Sequence, residues 1–318
     1  MSESTSHPAA HREPTHREPT QGEFTLHEFT ADDGTRLAFR TTGDGPLLVC
    51  LPGGPGRAAE YLGDLGGLSA HRTLVLPDTR GTGRSGAAAP ASYRVDRLVA
   101  DVEALRRHLG RERIDLLGHS AGGGLALLYA AAHPERLDSL TLVAPSFAVL
   151  GLPSDTEADA VVAARADEPW HPAAERAYRR MKSARSFAEA APHRLAFEPL
   201  MYGRWDEAAR AHAAADQAQR SLSVSDHYYA GYQPDGPALL RSLAALRCPV
   251  LLVAGALDLW PTAASAAAVV RRLPGGTGLT VQPGAGHYPW LDDPVAFTAT
   301  VVGFLTGRRE AAGPVPLA

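Results

Sequence analysis

The chain has 318 residues, 45% hydrophobic and 21% charged, enough to fill a substantial core in one large or two modest domains and to exclude wholesale disorder. Lys and Arg total 31 against 35 Asp and Glu, a net charge of −4 that argues against a general nucleic-acid binder. Cys50 and Cys248 are too few for a disulfide scaffold or a cysteine-rich zinc site and read as small buried thiols.

Residues 1–21 are polar and Pro-rich, repeat HREPT at 11–15 and 16–20, and lack the apolar stretch of a signal peptide. They read as a solvated tail. Residues 24–30 and 35–42 are strand-like, with the hairpin signal Asp33-Gly34 between them. Short apolar runs at 47–51 and 73–76 are predicted buried strands, the first ending in Pro-Gly-Gly-Pro-Gly. Val95, Leu98, Val99, Val102, Leu105 and Leu109 share one helical face, and Gly110 stops that helix. A strand at 114–117, a helix at 125–132 broken before Pro134, and a strand at 140–143 follow.

Alternating strand and helix is the pattern of a parallel sheet with crossover helices. The pattern lapses from 146 to 245, where Ala, Arg and acidic residues make helical stretches without a clear strand. It resumes with a strand at 249–254, a helix at 262–273, a strand at 279–281 and a last helix at 294–305. The simplest account is an α/β core in two pieces, 24–145 and 246–308, with a helical insertion over 146–245 and tails at 1–23 and 309–318. Such insertions overhang the carboxyl ends of the strands, where ligands bind in open α/β sheets. The longest apolar run, Ala121–Ala132, is too short to cross a bilayer. A cytoplasmic protein with no membrane or nucleic-acid partner is expected, and no pattern speaks to its oligomeric state.

Gly118-His119-Ser120-Ala121-Gly122 fits Gly-x-Ser-x-Gly. The spacing is weak by itself, but here it follows a buried strand and precedes a helix, the setting of a nucleophile elbow. Ser120 would take a strained positive φ there, with glycines at ±2 relieving collisions. A serine hydroxyl needs a base, and the base an orienting carboxylate. His287 lies in Gly-rich loop sequence past the strand at 279–281, and Asp258 lies past the strand at 249–254. His119 reads as a packing neighbour pointing away from the reacting face. Two backbone donors are needed for an oxyanion, and Ala121 and Gly54 are the candidates. No Lys-Ser or Lys-Thr follows the glycines at 53–56, which disfavours a phosphate loop. No Gly-x-Gly-x-x-Gly opens a helix after the first core strand, which disfavours a nicotinamide site. No metal or cofactor is predicted.

The sheet segments resemble the α/β-hydrolase fold, which implies a mostly parallel central sheet with flanking helices and an inserted helical cap. LPGGPG at 51–56 and DTRGTGRS at 78–85 are similar to the HGGPG and DQRGxGRS segments of proline iminopeptidases. Pro52 stands where that box has His, so the bracing of this loop must differ. GHSAGG stands where those enzymes usually show GGSWG. The resemblance implies cap carboxylates that seat a substrate amine. Asp206, beside Trp205, and Asp226, after Ser225, occupy the corresponding stretches, with Tyr228 and Tyr229 as pocket aromatics.

The expectation is therefore a serine hydrolase that releases a small N-terminal residue, Pro or similar such as Ala, from a peptide or amide through an acyl-enzyme. The alternatives are a carboxylesterase or thioesterase, in specialised metabolism for example, and a noncatalytic small-ligand-binding protein. Dehalogenase and epoxide-hydrolase chemistry is disfavoured because those enzymes carry Asp where Ser120 stands.

Overall fold

The structure, a computed structural model, describes residues 23–311, with side chains through 307. The HREPT repeats and most of both tails lie outside the described residues. Among the described residues eight strands form one sheet in the order β1-β2-β4-β3-β5-β6-β7-β8. They are β1 (Thr25–Thr30), β2 (Arg36–Thr42), β3 (Leu47–Leu51), β4 (Thr73–Pro77), β5 (Ile114–His119), β6 (Leu137–Val143), β7 (Val250–Gly255) and β8 (Gly278–Gln282). β1 and β2 make the antiparallel hairpin that Asp33-Gly34 signals, and β2 runs antiparallel to β4. Every other pairing is parallel.

Helices α1 (Val99–His108) and α2 (Ala121–Ala132) precede and follow β5. Between β6 and β7 run α3 (Ala158–Ala163), α4 (His171–Ser183), α5 (Phe187–Phe197), α6 (Glu207–Gln219), α7 (Leu222–His227) and α8 (Gly236–Leu243). The chain then returns through α9 (Ala263–Val270), α10 (Pro289–Asp292) and α11 (Pro294–Ala311).

The two-residue period of an extended chain divides each central strand between two core layers. Val49 and Leu51 of β3 face one layer with Val102 and Leu105 of α1 and Leu125, Ala126 and Tyr129 of α2. Leu48 and Cys50 face the other, where Phe297, Val301 and Leu305 cover the sheet from successive turns of α11. Because both faces are covered, these strands read as continuous apolar runs rather than alternating ones.

Helix boundaries depart from the periodicity in two informative places. α1 begins at Val99, not Val95; the Val95 N–H instead ties the approach to the helix to the Tyr228 carbonyl at 2.9 Å. α2 begins at Ala121, directly after Ser120, four residues earlier than its apolar stripe suggested. The DTRGTGRS segment ties its own loop to the turn after β3: the buried Asp78 carboxylate accepts the N–H of Ala59 at 2.8 Å and of Arg84 at 2.9 Å. No described helix is long and apolar enough to cross a membrane.

Candidate active site

Ser120 follows the last residue of β5, at φ 53° and ψ −120°, where a strand turns abruptly into a helix. The turn is this tight because Gly122 lies flush against the end of β3, where a Cβ would come within 2.4 Å of the Leu51 carbonyl oxygen. The Ser120 backbone is anchored by its own N–H to the Val143 carbonyl at 3.0 Å. α2 starts at Ala121, so the Ala121 N–H has no acceptor in its own helix and adds to the positive end of the helix dipole.

The loop after β3 presses on this turn. A Cβ at Gly53 would lie 2.7 Å from Ser120 Cβ, so only glycine lets the loop approach the hydroxyl so closely. The Gly53 N–H donates to Tyr61 Oη at 2.7 Å. Of the two neighbouring loop amides, this leaves Gly54, and among the described residues neither the Gly54 nor the Ala121 amide has a protein acceptor. Both residues line the cavity that Ser120 lines.

Asp258, fully buried beyond β7, and His287, 4% exposed beyond β8, meet across the ends of these two strands. Nδ1 of His287 donates to Asp258 Oδ2 at 2.9 Å and Oδ1 at 3.1 Å. Oδ1 also accepts the Trp260 N–H at 2.9 Å, which holds the carboxylate plane. The proton on Nδ1 leaves Nε2 as the basic nitrogen. Ser120 and His287 line the same cavity of about 790 Å³, but no hydrogen bond joins Oγ to Nε2 in this structure. Such contacts are often long until a substrate tightens them.

The far wall of the cavity comes from the segment between β6 and β7. Met181 of α4, Phe187 and Phe197 of α5, and Met201 supply an apolar surface with Trp260, which stacks on Phe197 at 5.1 Å. The charged residues of the lining are Arg57, Arg185, Arg194 and Asp226.

Not all of the residues proposed to seat a substrate amine reach this cavity. Asp226 does, but its Oδ1 accepts the Phe187 N–H at 2.7 Å. Tyr229 also lines it, with its hydroxyl 3.2 Å from Ser146 Oγ. Asp206 does not: it is an exposed N-cap of α6 and accepts the Ala209 N–H at 3.0 Å. Tyr228 is likewise outside the lining, 2% exposed, and its hydroxyl donates to the Ala121 carbonyl at 3.1 Å, tying α7 to the start of α2. Ser225, standing where the resemblance calls for a glutamate, donates to the Pro55 carbonyl at 2.6 Å and so ties α7 to the loop after β3.

The sequence reading missed Arg57, Tyr61, Arg194, Phe197 and Trp260 as cavity residues, and took His119 for packing alone. Trp260, two residues past Asp258, was the one with a local signal. Among the described residues no group of three His, Cys, Asp or Glu side chains is placed to hold a metal ion.

A putative carbamate hydrolase RutD of Caulobacter sp. is 28% identical over 280 residues, covering 83% of this chain and 92% of that protein. A proline iminopeptidase of Saccharolobus solfataricus is 40% identical, but over 105 residues, 32% of this chain and 34% of that enzyme. The fold is similar to that of esterase RhEst1 from Rhodococcus sp., at a TM-score of 0.68 and 23% identity over 88% of this chain and 98% of that one. Residues 46–294 match the profile described as alpha/beta hydrolase fold, and the chain belongs to that family of hydrolases.

Proposed function

We propose that the protein is a serine hydrolase that cleaves carboxylic esters with an apolar acyl group through an acyl-enzyme. Ser120 Oγ attacks the acyl carbon while His287 Nε2 takes its proton. Asp258 holds the imidazole in the reactive tautomer and stabilises the imidazolium. The Gly54 and Ala121 amides receive the tetrahedral oxyanion, which the amino end of α2 also favours. His287 then protonates the leaving alcohol, and water repeats the sequence on the acyl-enzyme.

One observation carries the choice of ester over aminoacyl substrate. The single acid lining the cavity, Asp226, is already engaged by the Phe187 amide, and the other charged residues there are arginines. A free α-amine would find no carboxylate in the lining that is not already engaged, whereas an apolar acyl chain meets Met181, Phe197, Met201 and Trp260. Release of a small N-terminal residue such as Pro or Ala is the second reading. It is supported by the presence of Asp226 in the cavity and by the local similarity to a proline iminopeptidase.

A paired assay decides between them. Short- and medium-chain p-nitrophenyl esters should be turned over with kcat/KM at least tenfold above proline and alanine arylamides. The opposite order would replace the ester reading with the aminopeptidase one.

A further inference from the structure

The loop that carries Gly54 starts with Pro52, which has neither an N–H nor a polar side chain with which to brace it. The brace comes from elsewhere. Tyr61, 4% exposed in the short helical turn Ala59–Leu62, has its Oη 2.7 Å from the Gly53 nitrogen and 2.6 Å from His119 Nδ1. His119, 1% exposed and adjacent to Ser120, has its other ring nitrogen 2.9 Å from the His287 carbonyl oxygen.

Donor and acceptor arithmetic fixes every proton in this chain. A carbonyl oxygen can only accept, so Nε2 of His119 carries a hydrogen. Burial, reinforced by the neighbouring His287, pushes His119 well below the ordinary histidine range, so the ring is neutral and Nδ1 is an acceptor. The Tyr61 hydroxyl therefore donates to Nδ1, and burial keeps that phenol protonated. Its oxygen is then free to accept the Gly53 N–H. The line runs in one direction: Gly53 N–H to Tyr61 Oη, Tyr61 O–H to His119 Nδ1, His119 Nε2–H to the His287 carbonyl.

We propose that Tyr61 and His119 act as one positioning relay that sets the oxyanion loop, the nucleophile turn and the base loop relative to one another. The inference rests on the serine-hydrolase reading above and adds two residues that touch no reacting atom. Three loops from three separate strands converge on the relay. Gly53 is held against Ser120, and Gly54 follows it. The His287 backbone is pinned on both sides, its carbonyl by His119 and its N–H by the Met201 carbonyl at 2.7 Å. Misplacement of reacting groups by about 1 Å is enough to cost about a hundredfold in rate, and removing the Tyr61 hydroxyl frees the loop at one end and the ring of His119 at the other.

The test is the rate at which Ser120 reacts with a fluorophosphonate, followed together with kcat and KM on a p-nitrophenyl ester. The rate constant of that exponential depends on active-site geometry, whereas misfolded molecules lower only its amplitude. Tyr61→Phe is expected to slow labelling and kcat about ten- to a hundredfold with KM within threefold. His119→Leu should lose as much, and the double variant no more than either alone, because one relay is broken once. His119→Gln, whose amide keeps one acceptor and one donor, should recover part of the loss. Labelling of Tyr61→Phe within twofold of the native rate would overturn the relay, and so would losses that multiply in the double variant. A native chain that resists labelling at Ser120 would defeat the hydrolytic reading itself, so the two failures are told apart.

Discussion

The two walls of the cavity are built on different physics. The wall formed by the strand ends is held through its backbone groups, by turn geometry at Ser120 and the helix start at Ala121, and by the Tyr61 and His119 side chains, which bond the Gly53 amide and the His287 carbonyl. The wall formed by α4 to α7 is positioned by side chains, and at its centre lies a buried charge cluster. Asp216 of α6 accepts from Arg220 Nε at 2.8 Å and Nη2 at 2.5 Å, and from Arg194 Nε at 2.8 Å. Arg220 and Ser225 both reach the Pro55 carbonyl, at 2.8 and 2.6 Å, so the helical wall is bolted to the oxyanion loop. The first wall should thus govern chemistry with little effect on stability, and the second should govern stability and substrate fit.

The largest expected effect tests the first wall. Ser120→Ala should lower turnover of any true substrate by about 10⁴-fold or more while leaving the unfolding midpoint in place. Asp258→Asn should approach the same loss by favouring the wrong tautomer of His287. Retained activity in Ser120→Ala would mean that the nucleophile lies elsewhere.

The next effect concerns the second wall. Asp216→Ala should cost about 3–5 kcal/mol in urea unfolding, because it leaves the buried Arg220 guanidinium without its carboxylate and Arg194 with Glu198 alone. Its neighbour Glu198 should behave in the opposite way. Arg194 Nε lies 3.2 Å from Glu198 Oε1, yet neither Glu198 oxygen, both fully buried, accepts a hydrogen bond.

The two acids shift in opposite directions. Burial alone would raise the Asp216 carboxyl, but the bond from Arg220 and the charges of Arg194, Arg220 and Arg57 hold it well below the usual carboxylate range. Burial raises the Glu198 carboxyl, against the attraction of Arg194. A depressed acid stabilises the fold above its unfolded value of about 3.9 and loses that contribution as pH falls through the folded value. A raised acid stabilises the fold below its unfolded value of about 4.3 and loses that contribution as pH rises through the folded value. Glu198→Gln should therefore be neutral or mildly stabilising at pH 7, with the advantage shrinking toward pH 4. Equal destabilisation by Glu198→Gln and Asp216→Asn at pH 7 would show that the two acids do the same work.

The smallest effect separates a helix cap from a ligand acid. Asp206→Ala should cost about 1 kcal/mol of stability as a lost N-cap. It should leave kcat/KM on esters and on arylamides alike. A selective loss on arylamides would return Asp206 to substrate binding.

What was legible in the sequence depended on whether the cause was local. Gly118 and Gly122 flank Ser120 at a strand-to-helix turn, and the sterics of that turn involve neighbouring residues and the end of β3, so the motif announced itself. Asp258 and His287 were legible because each follows an apolar strand run, and strand ends of a parallel sheet share one edge. Asp206 and Asp226 looked alike in sequence, since each is an acid in a helical stretch; in the structure Asp206 caps its own helix α6, while Asp226, near the end of α7, accepts the first amide of α5. Only the fold turned one outward to solvent and the other into the cavity.

The amino-acid sequence by itself determined the strand and helix order, the turn at Ser120 and the chemical identity of the three groups around it, because short-range sterics and apolar periodicity act between neighbours. Tertiary structure alone decided which helical acids reach the cavity, that Tyr61 lies against Gly53 and His119, that Asp216, four residues before Arg220, also takes Arg194, and that α7 is tied to the loop after β3. Those contacts join residues as far apart as Pro55 and Ser225, and such pairings are selected by the packing of whole elements.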